Sequence, residues 1–147
     1  VADAFILYPF TILATWFHEM GHGLSAIALD GRFNKLMIFP NGSGLAYNSG
    51  RLALGAFGQA LVSAGGLIGP PIAGMALLLA SRQLRTAKRA LFALGILLML
   101  STFIWVRSLT GWLVLPLLGA VMLYAGPRIH RLATNIRSSV SRRTGVH

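Results

Sequence analysis

The chain has 147 residues, 55% of them hydrophobic and only 11% charged, with a mean hydropathy of +0.69. Soluble domains carry about 25% charged residues, and a soluble chain this short could not hide so much apolar surface, so the bilayer is the expected solvent. The net charge of +10 comes from 13 Lys and Arg placed between apolar runs and at the C-terminus, which points to anionic headgroups and membrane topology rather than to nucleic acid.

Ala4 to Leu29 is the first apolar run, interrupted mainly by His18, Glu19 and His22. At 1.5 Å per residue it is long enough for a ~30 Å hydrocarbon core. Pro9 stands near its start, and Asp30-Gly31 predicts its end, with the glycine as the stop. The run lacks the basic n-region of a signal peptide. The first residue is Val1, which reads as processing or as part of a longer chain.

Residues 31–51 are polar and turn-forming. Leu36-Met37-Ile38-Phe39 reads as a short strand, Pro40 to Gly44 as a turn, and Leu45-Ala46-Tyr47 as a return strand. A plain connecting loop is the alternative. A hairpin here would offer an edge to an extended peptide.

Leu52 to Ala80 is the second apolar run, rich in small residues and overlong for one span. Gly65 and Gly69 have the GxxxG spacing that lets helices approach closely. Gly69-Pro70-Pro71 predicts a kink or break, giving one bent span or two half-spans. Gln59 reads as an interhelical hydrogen-bonder. Arg82, Arg85, Lys88 and Arg89 read as a basic loop. Two further runs, Ala90 to Val106 and Leu109 to Tyr124, are separated only by Arg107 and Ser108 and predict a helical hairpin. Gly126-Pro127 reads as the stop of the last helix. In the tail, Ile129, Leu132, Ile136 and Val140 recur three or four apart among arginines, as in an amphipathic helix on an anionic membrane surface; disorder is the alternative.

The chemistry is concentrated in His18-Glu19-Met20-Gly21-His22. A charged side chain inside a membrane-length segment costs roughly 2.5–3.5 kcal/mol on insertion scales, which marks it as functional by default. No Lys or Arg lies in that segment to offset Glu19, whereas a divalent cation would. Residues four apart share a helix face, so both imidazoles can reach one ion. Cysteine is absent, which excludes disulfides and thiolate sites and leaves His and carboxylate as ligands. His18 and His22 are therefore candidate Zn²⁺ ligands, and Glu19 the candidate general base toward a water on that ion. For a third ligand the candidates are Asp30, Asn48, Gln59, His130, a group on a further portion of chain, or none. On a continuous helix Asp30 would lie ~12 Å along the axis from His22 and ~80° around it, so it needs a bend to reach the ion.

The run Trp16-Phe17-His18-Glu19-Met20-Gly21-His22-Gly23-Leu24-Ser25-Ala26 resembles the first core helix of the site-2 protease family of intramembrane zinc metalloproteases. Gly31-Arg32, the short strand and the Gly42-Ser43-Gly44 turn are similar to the hairpin of a compact bacterial branch, and Ser63 to Pro70 to its next helix. The resemblance implies zinc, a membrane-embedded or membrane-adjacent protein substrate such as an anti-sigma factor or a membrane-bound transcription factor precursor, and a bacterial plasma membrane. It also implies a zinc-binding aspartate on a later helix, yet no Asp or Glu follows Asp30.

These readings combine into an all-α membrane protein of about four transmembrane helices, with HExxH on the first and a short β-hairpin after it. Residues 1–127 form the metalloprotease-like domain and 128–147 a basic tail, cytoplasmic by the positive-inside rule. The expected function is hydrolysis of peptide bonds in membrane protein substrates. The alternative is a non-catalytic membrane relative acting as scaffold or substrate-binding protein.

Overall fold

The computed structural model describes residues 1–144. The element order is α1 (Ala2–Ala28), β1 (Arg32–Ile38), β2 (Gly44–Ser49), α2 (Ala56–Ser81), α3 (Leu84–Ile104) and α4 (Leu109–Thr144). α1 packs along α2, α3 along α4, and the antiparallel hairpin lies against α1.

Three helices, α2, α3 and α4, are long and apolar enough to cross a membrane. α1 is the fourth, 27 residues long. Its polar and small residues, among them Thr15, His18, Glu19, Gly21, His22 and Ser25, dilute its apolar content. Only 11% of the most apolar window of α2 is buried, and Leu67, Ile72, Met75 and Leu78 point outward. Apolar side chains on the outside are what a lipid-facing helix requires.

Of the two readings of the second apolar run, the single span holds: α2 is one continuous helix through Pro70 and Pro71. Several expectations from the chain change here. α4 does not stop at Gly126-Pro127 but runs on to Thr144. A proline removes one N–H and crowds one carbonyl, a local cost that a long helix can absorb as a bend. The 82–89 segment is not a loop: only Arg82 and Gln83 lie between α2 and α3, and Arg85, Lys88 and Arg89 occupy the first two turns of α3. Lys and Arg are good helix formers, so nothing local opposes that extension. The strands are longer than the apolar stretches alone suggested, because ladder pairing recruits Arg32 to Lys35 and Asn48-Ser49, with an irregularity between Phe33 and Lys35.

α1 ends in a Schellman-type turn: the Gly31 N–H donates to the Ala26 carbonyl and the Asp30 N–H to Ile27. The left-handed residue is Asp30 (φ 63°), not Gly31 as the Asp-Gly pair suggested. Aspartate tolerates this conformation better than most residues.

The buried core joins α1, β1, α3 and α4: Ile12, Trp16 and Met20 of α1 meet Phe33, Leu36 and Ile38 of β1 and Leu98, Val106 and Leu115 beyond, with Ala46 of β2 and Leu77 of α2 packed against it. Polar bonds fix the hairpin along α1. Tyr8 OH donates to the Pro40 carbonyl at 2.9 Å, and Thr15 Oγ1 to Gly42 at 2.6 Å. Trp16 Nε1 donates to Ser101 Oγ at 2.9 Å, joining α1 to α3. The outer edge of β1 is occupied: the Leu36 N–H donates to the Trp105 carbonyl, and the Arg107 N–H to that of Leu36.

Trp16 is only 3% exposed, so removing its acceptor strands a buried N–H. Ser101→Ala should cost about 1–3 kcal/mol, read as a lower thermal midpoint in detergent. An unchanged midpoint would show that this bond does not fasten α1 to α3.

Candidate metal centre

His18 and His22 sit one turn apart on α1, on the side facing α2. Their Nε2 atoms are 3.1 Å apart, and their rings meet edge to face at 88°. His22 Nδ1 lies 2.8 Å from the Val62 carbonyl of α2. A carbonyl only accepts, so Nδ1 carries the proton, and in the neutral ring the lone pair is on Nε2. The outer bond thus fixes the tautomer and points the ligating nitrogen at His18, the usual arrangement behind a metal-bound histidine.

The spacing can be tested against an ion. Two nitrogens each ~2.0–2.1 Å from a tetrahedral Zn²⁺ stand roughly 3.3 Å apart. The observed 3.1 Å is close to this with no change of backbone. The donor set also suits zinc, which takes neutral imidazole readily.

Glycines make room for this arrangement. A methyl group on Gly66 would fall on the His22 imidazole, and one on Gly21 would strike the Gly65 carbonyl. A methyl on Gly69 would meet the Phe17 carbonyl. The GxxxG pair therefore brings α2 against α1 at the level of the histidines.

Glu19 lies ~60° around the helix from His22, and its side chain turns toward the hairpin. It is buried, and a methyl on Gly44 would lie 2.8 Å from its Cγ and 3.2 Å from Oε1. Among the described residues no side chain donates a hydrogen bond to its carboxylate, and no group of three or more His, Asp or Glu is disposed around one ion. A buried carboxylate without a donor is costly unless water or a cation reaches it.

The other expected candidates divide. Asp30 is exposed in the turn after α1 and does not join the histidines. The side chain of His130 lies outside the described residues. Asn48 and Gln59 come together, lining a polar cavity of about 210 Å³ with Ala26, Ser49, Leu52 and Val62. It adjoins the histidine pair, since Ala26 is one turn beyond His22 and Val62 carries the carbonyl that holds it.

Three contributors were not singled out from the sequence as site residues: the Val62 carbonyl, Gly66 and Gly44. A backbone carbonyl leaves no mark in a sequence. The glycines were legible, but as packing residues only.

Gly66→Ala should displace the His22 ring and lower zinc retention at least about tenfold, read as zinc content after dialysis against a weak chelator. Gly74→Ala, with nothing within 4 Å of its added methyl, should retain zinc as the wild type does. Equal zinc in the two variants would show that Gly66 is not the seat of the imidazole.

A family model described as Peptidase M50B-like matches residues 1–136. No curated protein and no solved structure matches the chain. With the match covering most of its length, the chain belongs to the Peptidase M50B-like family, within the site-2 protease family of membrane peptidases.

Proposed function

We propose that the protein is a zinc-dependent intramembrane endopeptidase in which His18 and His22 bind the ion and Glu19 is the general base. The observation that carries this reading is the pair of Nε2 atoms 3.1 Å apart, one of them oriented by Val62. Zinc, when bound, supplies Lewis acidity toward water and toward a peptide carbonyl. Glu19 accepts the proton of the attacking water and passes it to the leaving amine nitrogen. Its low exposure places it in a less polar setting than open water, which strengthens its interaction with a cation. The substrate is a membrane-embedded or membrane-adjacent protein segment, in a bacterial plasma membrane.

The hairpin supplies a place for that segment. Leu36 directs its N–H and C=O away from β2, toward Trp105 and Arg107. In an antiparallel ladder, partners either bond each other or both turn outward. Ala46, the partner of Leu36, therefore directs its own N–H and C=O to the free edge of β2. Gly44, two residues away on that strand, lies against Glu19. A substrate strand added at this edge runs past the general base.

The basic start of α3 and the basic end of α4 lie at one end of an antiparallel pair, because Gly126 abuts Lys88. The positive-inside rule assigns that end to the cytoplasm.

Elemental analysis should find about one zinc per chain in wild type and in Glu19→Gln, and none in His22→Ala. Glu19→Gln should slow cleavage of a transmembrane peptide at least ~100-fold. Zinc retained in His22→Ala would refute the ligand assignment. Zinc without cleavage in wild type would point to the non-catalytic alternative. Ala46→Pro removes only an outward N–H and should raise KM several-fold, about the worth of one hydrogen bond, with kcat little changed. An unaltered KM would count against strand addition at β2.

A further inference from the structure

All three acidic residues lie at or before Asp30, and all 13 cations after it. The later helices therefore carry positive charge with no acidic partner of their own. Three of these cations, Arg85, Lys88 and Arg89, fall in the first two turns of α3. A helix N-terminus is already the positive end of the dipole, and anions, not cations, are stabilised there. The first turn of α3 holds no acidic residue, and its N-cap Gln83 makes no side-chain capping bond.

The three cations border a cavity of about 410 Å³ in the seam between α3 and α4. Its apolar lining is Phe92 of α3 with Met122 and Leu123 of α4. Gly126 faces Lys88 across the seam, with Lys88 Cγ 3.9 Å from where a methyl would stand. One turn away, the Arg128 guanidinium lies 4.0 Å from the centre of the Tyr124 ring.

Depth along α4 bears on the ligand. Its 36 residues would measure roughly 54 Å, well beyond a ~30 Å hydrocarbon core. The apolar part ends near Tyr124, and the continuation is rich in arginine. The cavity lies beside the end of that apolar part, which is headgroup level when the apolar part fills the hydrocarbon.

We propose that this cavity is a binding site for an anionic phospholipid. Arg85, Lys88 and Arg89 hold the headgroup phosphate, and Phe92, Met122 and Leu123 take the glycerol and the start of an acyl chain. The apolar wall favours an amphiphile over free phosphate. Three cations without a carboxylate favour an anionic headgroup over one carrying its own ammonium. The site is separate from the histidine pair and does not depend on the protease reading.

The test is native mass spectrometry of the full chain in neutral detergent, titrated with phosphatidylglycerol, with phosphatidylcholine of the same acyl chains, and with inorganic phosphate. Phosphatidylglycerol should bind at one site per chain, at least about tenfold tighter than phosphatidylcholine. The triple variant Arg85→Gln, Lys88→Gln, Arg89→Gln should lose on the order of 10- to 100-fold in affinity. Arg137→Gln, Arg142→Gln, Arg143→Gln removes the same charge elsewhere and should change affinity less than about twofold. Gly126→Leu fills the seam without altering charge and should also lose the lipid. Equal loss in the two triple variants would reduce the effect to bulk attraction and overturn the proposal. So would equal binding of phosphatidylcholine, displacement by inorganic phosphate at matching concentration, or full binding by Gly126→Leu.

Discussion

Two helices reach backbone contact only where neither carries a side chain at the crossing, and α1 and α2 do so at Gly21, Gly65 and Gly69. The remaining features of the histidine pair follow from that approach. It brings the Val62 carbonyl within 2.8 Å of His22 Nδ1, which sets the tautomer. It also leaves, above Gly66, a recess that the imidazole fills. Larger residues would hold the helices apart, and the two ring nitrogens would lose their common focus.

A second constraint comes from the adjoining face of α1. The hairpin is held down by Tyr8, Thr15 and the core around Leu36, so that Gly44 covers Glu19. The loop between α3 and α4 satisfies one edge of the hairpin through Leu36. The histidines therefore pack toward a helix while the carboxylate, on the adjoining face of α1, packs toward a strand. An open sheet edge in hydrocarbon would be costly, and a peptide strand there would satisfy it.

The charge partition gives the molecule a polarity of its own. Acidic groups stay on or next to α1, and basic groups gather where α3 begins and α4 continues beyond the apolar core. Because α3 and α4 are antiparallel, residues some forty apart in sequence, Lys88 and Gly126, become neighbours. The family model's match, residues 1–136, spans the histidine helix, its hairpin and the basic seam alike.

The sequence by itself determined the membrane character and the HExxH spacing and pointed to about four helices and a hairpin, because hydropathy, turn residues and helical periodicity are local properties; the structure chose the single second span and the hairpin over the half-spans and the plain loop. It also marked Gly65 and Gly69 as a contact surface. Helix continuity was less legible: proline at 70, 71 and 127 and the basic residues at 85–89 suggested breaks where the helices run on, since a local cost does not decide against the many bonds of a long helix. Only the tertiary structure decided that Val62 orients His22, that Gly44 covers Glu19, that Asp30 stays outside, and that Asn48 and Gln59 line one cavity beside the site. Each of these depends on which faces of distant segments meet, and on backbone atoms that every residue carries alike.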